Sequence, residues 1–204
     1  MSKTQRGRLV VVSGPSGVGK GTVLEYVFKN ENFVYSVSAT TRGMREGEVD
    51  GENYFYISRE KFEEMIEKGE FVEYAEYNGN YYGTPKFFVE SMLSQGKNVV
   101  LEIEVQGALQ VKKLVPEATF IFIAPESREI LARRLRGRGT ETEDVIRNRL
   151  AIAENEVRCC LLYDYVAVNR TGMAEQCAED IMAAVKAETM KPIEAFDIVK
   201  DFFE

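Results

Sequence analysis

The stretch that decides the fold runs from Leu9 to Thr22 and reads LVVVSGPSGVGKGT. Its first part, Leu9–Val12, is continuously apolar and β-branched, which predicts a strand of a parallel sheet covered on both faces. The glycine-rich part, Gly14–Lys20, fits the pattern GxxxxGK and is followed by a segment with helical periodicity. A strand, this loop and a helix in that order predict a phosphate-binding loop.

The residue types of this loop suit phosphate chemistry. Glycines let backbone N–H groups close around phosphate oxygens without a Cβ in the way. The start of the following helix adds favourable partial positive charge. We expect Lys20 to reach the phosphoryl group that is transferred. The predicted binding set is Gly14, Pro15, Ser16, Gly17, Val18, Gly19, Lys20, Gly21 and Thr22.

One position departs from the usual phosphate-binding loop. The hydroxyl residue that usually follows the lysine and helps to hold Mg²⁺ is Gly21, and Thr22 comes one position later. We therefore expect nucleotide phosphates and water to hold Mg²⁺, with Thr22 assisting at most. No direct protein ligand to a metal ion is predicted.

Composition excludes several other kinds of site. The 204 residues include no histidine, which excludes Ser-His and Cys-His nucleophiles and His-ligated zinc. The formal net charge of −7 argues against a bulk electrostatic grip on nucleic acid or on an anionic membrane. The three cysteines form no CxxC pair, and the apolar run near the N-terminus is far too short to span a membrane. We expect a cytoplasmic protein without nucleic-acid or membrane partners.

Short apolar runs alternate with amphipathic stretches along the rest of the chain. Further buried strands are predicted at 99–101, 120–123 and 165–168. Helical periodicity occurs at 23–28, 89–93 and 145–153. This alternation predicts an α/β fold in three layers, with a parallel sheet between helices.

Two segments interrupt the alternation. The segment of about 38–84 has one helix and short alternating pieces, which predicts a small inserted α+β lobe with its own sheet. The arginine-rich segment of about 133–153 is a second insertion. Within one domain, the predicted parts are a core of about 1–37, 85–132 and 154–190, the two insertions, and a C-terminal helical extension of about 191–204.

Six further motifs follow the loop in a fixed order. They are SVSATTRGMR at 36–45, GEVDGENY at 47–54, FVEYA at 71–75, GNYYGT at 79–84, LEIEVQG at 101–107 and RGRGTE at 136–141. Together with the loop, these motifs resemble bacterial guanylate kinases over about residues 8–186. The resemblance implies a nucleoside monophosphate kinase that transfers the γ-phosphoryl group of ATP to GMP. It would act in purine nucleotide metabolism and GMP recycling, with Mg²⁺ as cofactor and GMP, dGMP and ATP as substrates.

The resemblance also gives each part of the chain a role. The loop would bind ATP, the segment 38–84 would bind GMP, and the segment 133–153 would form a mobile lid. The residues implied for the GMP phosphate are Arg42, Arg45, Tyr54 and Tyr82, and those implied for the guanine base are Ser38, Glu73, Thr84 and Glu102.

The chemistry of these residues agrees with the implied roles. Arginine forks match phosphate oxygens, and tyrosine hydroxyls can complete the set. A carboxylate such as Glu73 can accept from both N1–H and N2–H₂ of guanine, whereas adenine presents an acceptor there. A hydroxyl of Ser38 or Thr84 can serve the O6 edge. Of the two carboxylates at the end of the strand near residue 101, Glu102 is expected on the guanine side and Glu104 is the other candidate.

Catalysis by such an enzyme rests on positive charge. Seven of the fourteen arginines lie between Arg128 and Arg149. The resemblance implies that Arg134, Arg138 and Arg149 close on the ATP phosphates, where they would act with Lys20 on the transition-state charge. No protein general base is required, because the acceptor phosphate is already anionic.

Two other functions are consistent with the same scaffold. One is a kinase for a different phosphorylated acceptor, which the Ser38, Glu73 and Thr84 set disfavours. The other is a non-catalytic guanylate-kinase-like module that binds phosphorylated protein segments. Such modules usually have a degraded loop, whereas the loop and Lys20 are intact here. The sequence leaves both a monomer and a homo-oligomer open.

Overall fold

The computed structural model describes residues 6–137, 142–191 and 202. In chain order its elements are β1 (Leu9–Ser13), α1 (Lys20–Val27), β2 (Phe33–Tyr35), β3 (Ala39–Thr40), β4 (Phe55–Tyr56), α2 (Arg59–Glu67), β5 (Phe71–Tyr77), β6 (Asn80–Pro85), α3 (Lys86–Ser94), β7 (Asn98–Glu102), α4 (Val105–Leu114), β8 (Thr119–Pro125), α5 (Arg128–Arg136), α6 (Glu143–Arg158), a 3₁₀ helix (Cys159–Leu162), β9 (Tyr165–Asn169) and α7 (Ala174–Glu188). The described residues fall into two units, one with 6–12 and 31–118 and the other with 13–30 and the residues from 119 onward.

Parallel strands in the order β2-β7-β1 form one part of the first unit. The apolar run of β1 and the run Val99–Leu101 of β7 are fully or almost fully buried, as a strand covered on both faces requires. Their register pairs Val11 with Leu101, so both strands end at the same edge. Strands β1 and β7 contain the predicted runs, and the structure adds the short β2.

The other part of the first unit is a four-stranded sheet in the order β4-β3-β6-β5. Strands β5 and β6 form an antiparallel hairpin whose turn contains Asn78 in a left-handed conformation, at φ 49°. Helix α2 begins at the cap Ser58, whose hydroxyl accepts from the Lys61 N–H at 3.2 Å. It buries Phe62, whose ring stacks on those of Phe71 and Tyr81.

The second unit contains the parallel pair β8 and β9 and helices α1, α5, α6 and α7. The run Phe120–Ile123 of β8 is almost fully buried. Helices α5 and α6 share an apolar cluster of Leu131, Ala132, Leu135, Ile146, Leu150 and Ala153. This cluster fixes the two helices that carry Arg134 and Arg149.

The predicted α/β class with parallel strands is confirmed. Among the described residues, no helix combines the length and apolar character that crossing a bilayer demands. Arg138 and most of the predicted C-terminal extension, at 192–201, 203 and 204, lie outside the described residues.

Candidate active site

The glycine-rich loop follows β1 in sequence and belongs, together with helix α1, to the second unit. Gly19 caps α1 with φ 91°, a left-handed conformation that glycine adopts without strain. A Cβ on Gly14 would lie 2.4 Å from the Ile123 carbonyl oxygen, so only glycine fits this approach of two backbones. Lys20 is the first residue of α1, and its Nζ donates to the Gly14 carbonyl at 2.7 Å. The lysine amine therefore lies back over the loop that it follows in sequence.

A clamp of two side chains holds the loop at Val18. Arg134 Nη1 donates to the Val18 carbonyl at 2.8 Å, and its Nη2 donates to the Asn169 carbonyl at 2.9 Å. The amide of Asn169, at the end of β9, also donates to the Val18 carbonyl at 2.8 Å. Asn169 is 5% exposed, so these bonds are shielded from water. The clamp therefore fixes the backbone of the loop at Val18.

A cavity of about 460 Å³ adjoins the loop. Its lining includes Gly19, Thr22, Arg134, Asn169, Arg170 and Thr171. Thr22 is exposed on the first turn of α1. The cavity therefore brings two predicted ATP residues together with one predicted catalytic arginine.

Three other arginines of the charged segment differ in their surroundings. Arg149 is partly buried on α6. Arg136 pairs with Glu143 at 2.7 Å, and Arg147 pairs with Asp144 one helical turn away. The two paired arginines are exposed, as expected for a solvated helix face.

In the first unit, a cavity of about 500 Å³ lies beside the ends of β5 and β7. Its lining includes Glu73, Tyr82, Glu102, Glu104, Gln106 and Gln110. Three residues predicted for GMP thus line one cavity. Glu102, the last residue of β7, and Glu104, two residues later, both line it, so the preference for Glu102 over Glu104 on the guanine side stays a prediction.

Glu73 is the carboxylate whose environment is most distinctive in this cavity. The Thr84 hydroxyl donates to Glu73 Oε1 at 2.7 Å across the β5–β6 pair. Burial raises the pKa of Glu73 above its usual range, and the hydrogen bonds from Thr84 oppose that rise. Thr84 is 1% exposed and its hydroxyl hydrogen is used by Glu73. Thr84 therefore orients the carboxylate. Ser38, the other hydroxyl predicted for the base, is partly buried just before β3.

An aromatic cluster surrounds Arg42. Its guanidinium carbon lies 5.4 Å from the Tyr54 ring centroid and 5.7 Å from that of Tyr56. The Tyr54 ring in turn lies edge-on to Tyr82, at 6.0 Å between centroids. Arg42, Tyr54 and Tyr82 were predicted together for one phosphate, and the structure brings them into one cluster.

Arg45, the second predicted arginine, has an exposed side chain in the described structure. Its contribution to the cluster is a backbone one, because its N–H donates to Glu48 Oε2 at 2.7 Å. The same carboxylate binds the Arg42 guanidinium through two hydrogen bonds of 3.0 and 2.7 Å. Glu48 therefore connects the Arg42 side chain to the backbone of Arg45, a role that its residue type alone does not predict.

Comparison with known proteins places this geometry in a family. The sequence model of the family described as guanylate kinase matches residues 6–199. The chain is 55% identical to a curated guanylate kinase of Bacillus cereus over 188 residues, covering 91% of each chain. It is 54% identical to that of Lactococcus lactis over 185 residues, covering 90% of this chain and 89% of the relative. The chain belongs to the guanylate kinase family.

A solved guanylate kinase agrees with this assignment. The crystal structure of the enzyme from Anaplasma phagocytophilum matches with a TM-score of 0.66 and 37% sequence identity. The match covers 92% of this chain and 89% of that one. The resemblance that the ordered motifs indicated is therefore confirmed for both sequence and fold.

Three residues of these clusters were not predicted from the sequence: Glu48, Tyr56 and Asn169. Glu48 lies inside the quoted motif at 47–54, but its side chain has no chemistry that distinguishes it from a solvated surface carboxylate. Asn169 directly follows the predicted strand at 165–168. Because ligand sites of α/β sheets lie at the carboxyl ends of strands, that position was a usable signal.

Proposed function

We propose that this chain transfers the γ-phosphoryl group of ATP to GMP, giving ADP and GDP. The proposal that GMP is the acceptor rests on the Glu73 carboxylate. This group is partly buried, lines a cavity and is held by a hydrogen bond from Thr84. An ionised carboxylate there can accept from N1–H and N2–H₂ of guanine together. The high identity to curated guanylate kinases supports the same reaction.

On the acceptor side, the residues divide into those for the base and those for the phosphate. Glu73 reads the guanine edge, with Ser38 on O6 and Glu102 beside the base. Arg42, Tyr54 and Tyr82 bind the GMP phosphate, and Arg45 joins them when its exposed side chain turns inward. These groups recognise base and phosphate, so dGMP offers them the same contacts and is proposed as a second acceptor.

On the donor side, the loop Gly14–Thr22 binds the ATP phosphates through backbone N–H groups. An oxygen of the GMP phosphate attacks the γ-phosphorus in line, while the β,γ-bridging oxygen leaves with ADP. Positive charge on Lys20, Arg134, Arg138 and Arg149 stabilises the charge that develops on the transferred group. Because the attacking oxygen is already anionic, no side chain has to remove a proton.

Mg²⁺ is proposed as part of the donor substrate. Within the described residues, no group of three or more Asp, Glu, Cys or His side chains could hold a metal ion. The residue after Lys20 is a glycine, and exposed Thr22 offers the nearest loop hydroxyl in sequence. This donor set fits an ion held by phosphate oxygens and water, which would neutralise phosphate charge. The proposed location is the cytoplasm, in keeping with three free cysteines.

A coupled assay of ADP production tests the proposal. The wild type is offered GMP, dGMP, AMP, UMP and CMP with ATP, and turnover with the two guanine nucleotides alone is expected. Lys20→Ala should abolish turnover, whereas Lys86→Ala, at an exposed lysine at the start of α3, should not change it. Near-normal turnover by Lys20→Ala would contradict the assigned role. Tight binding of a phosphopeptide without ATP turnover would instead favour the non-catalytic module, which the comparisons do not support.

A further inference from the structure

The Arg42 guanidinium is held in a single orientation by its neighbours. Nη1 and Nη2 donate to the two oxygens of Glu48 at 3.0 and 2.7 Å. Nη1 also donates to the Gly43 carbonyl at 2.7 Å. With the Tyr54 and Tyr56 rings close by, the planar group has little freedom to rotate.

One edge of the Arg42 guanidinium is left for a ligand. A guanidinium has five N–H donors, and three of them are used by Glu48 and Gly43. The two that remain are Nε–H and the outer hydrogen of Nη2, which lie side by side on one edge. Among the described residues, no carboxylate or backbone carbonyl accepts from these two donors, and the Tyr56 hydroxyl is the one side chain besides Glu48 that interacts with the guanidinium through a hydrogen bond. Two parallel donors of this kind match two oxygens of one phosphate.

Glu48 is itself firmly held and charged. The backbone N–H of Arg45 donates to its Oε2 at 2.7 Å. The side chains of Arg42 and Glu48 are 15% and 20% exposed. The hydrogen bond from Arg42, with that from Arg45, lowers the pKa of Glu48 to about 2, so the carboxylate stays ionised at neutral pH. The buried Tyr56 hydroxyl lies beside the pair and interacts with both Glu48 and Arg42.

We propose that Glu48 is a positioning residue for GMP: it fixes Arg42 so that the Nε–Nη2 edge receives the phosphate, and it stays bound to Arg42 when GMP binds. This inference rests on the proposed function. The alternative is a placeholder, in which Glu48 occupies the position of the phosphate and must leave. The free edge argues against it, because the phosphate has a fork of its own and Glu48 need not give up its three hydrogen bonds.

The two roles predict opposite effects of Glu48→Gln. If Glu48 positions Arg42, the KM for GMP rises roughly 5- to 30-fold, because a long side chain that is no longer fixed loses rotamer entropy when it binds. The KM for ATP stays unchanged. If Glu48 is a placeholder, the KM for GMP falls, and the proposal is overturned. Glu46→Gln is the matched control, an exposed carboxylate of the same loop, and should leave both KM values unchanged.

A second measurement separates positioning from general support of the fold. Guanosine has the base but lacks the phosphate, so its inhibition constant against GMP reports the base site alone. Glu48→Gln should leave that constant within about twofold of the wild type, by the usual near-additivity of separate sites. A loss of guanosine binding equal to the loss for GMP would mean that Glu48 only maintains the lobe, and would overturn the proposal.

A double-mutant cycle with Arg42 completes the test. Arg42→Lys removes the fork, so in that background Glu48→Gln should have little further effect on the KM for GMP. Equal effects of Glu48→Gln in both backgrounds would show that it acts without Arg42, and would refute the inference. Failure of the proposed function would look different, because the wild type itself would then not phosphorylate GMP.

Discussion

Replacement of Glu73 by glutamine is expected to change which base the enzyme accepts. The carboxylate offers two acceptor oxygens, and Thr84 holds one of them at 2.7 Å. Glutamine keeps one acceptor and turns an NH₂ group toward the N2–H₂ of guanine, where two donors then face each other. The variant should therefore lose affinity for guanine. It should gain an N–H group from which adenine N1 can accept a hydrogen bond.

The expected magnitude follows from the hydrogen bonds that are lost. A hydrogen bond to a charged group is worth about 1.5–3 kcal/mol, and leaving a partly buried donor unsatisfied adds to the loss. A total of about 2–4 kcal/mol corresponds to roughly a 30- to 700-fold fall in kcat/KM for GMP. Xanthosine monophosphate offers N1–H beside a carbonyl at C2, which matches the glutamine amide. Its kcat/KM should fall less than that of GMP, or rise.

The assay compares kcat/KM for GMP, AMP and xanthosine monophosphate in the wild type and the variant. Glu70→Gln, at an exposed carboxylate directly before β5, is the control and should leave all three values unchanged. An unchanged preference for GMP over AMP in Glu73→Gln would refute the reasoning, since the carboxylate would then have no part in reading the base.

Four further predictions concern Glu73 and the loop. Because burial raises the pKa of Glu73, kcat/KM for GMP should fall on acidification with an apparent pKa above the usual glutamate value, and Glu73→Gln should lack this dependence. The raised pKa also means that the contribution of this carboxyl to stability is present below its unfolded pKa and lost as the pH rises through its folded pKa. Thermal melts at pH 7 should therefore find Glu73→Gln at least as stable as the wild type, and a lower melting temperature would contradict this. Asn169→Ala should raise the KM for ATP and not that for GMP, because the Val18 carbonyl loses a buried donor; Asn155→Ala, on the exposed face of α6, is the control. Gly14→Ala should abolish ATP binding in calorimetry because its Cβ would meet Ile123, whereas Gly21→Ala, with open space around it, should retain it.

The parts of the fold that could be predicted are those with a local cause. β1 and β8 were predictable because continuous apolar runs of four or more residues suit buried strands. β2, at Phe33–Tyr35, was not, because three residues carry no periodicity and the strand exists through its pairing with β7. Helices α4 and α7 were also missed, since their buried residues are small or mixed with polar ones and give a weak helical signal.

The candidate site divides in the same way. Roles for Lys20, Glu73 and Arg42 could be proposed from sequence because binding of phosphate and guanine calls for particular side chains, and those side chains occur in ordered motifs. Their partners could not. Thr84 was predicted for the base, and the structure adds that its hydroxyl donates to Glu73; Glu48 was given no role although it binds Arg42. A residue that acts through another side chain needs only one hydrogen bond, which many residue types can supply, so its type alone carries little information.

Arg134 and Arg42 illustrate how those unpredicted partners decide what an arginine can do. Arg134 donates to two neutral carbonyl groups, so its positive charge is not compensated by the contacts that hold it. Arg42 is held by an ionised carboxylate, so the pair is close to neutral and what remains is a rigid fork. The first arrangement suits a group that must stabilise charge developing in a transition state, where uncompensated charge is worth most. The second suits recognition of a ground-state phosphate, where geometry selects the ligand and tight electrostatic binding would slow its release.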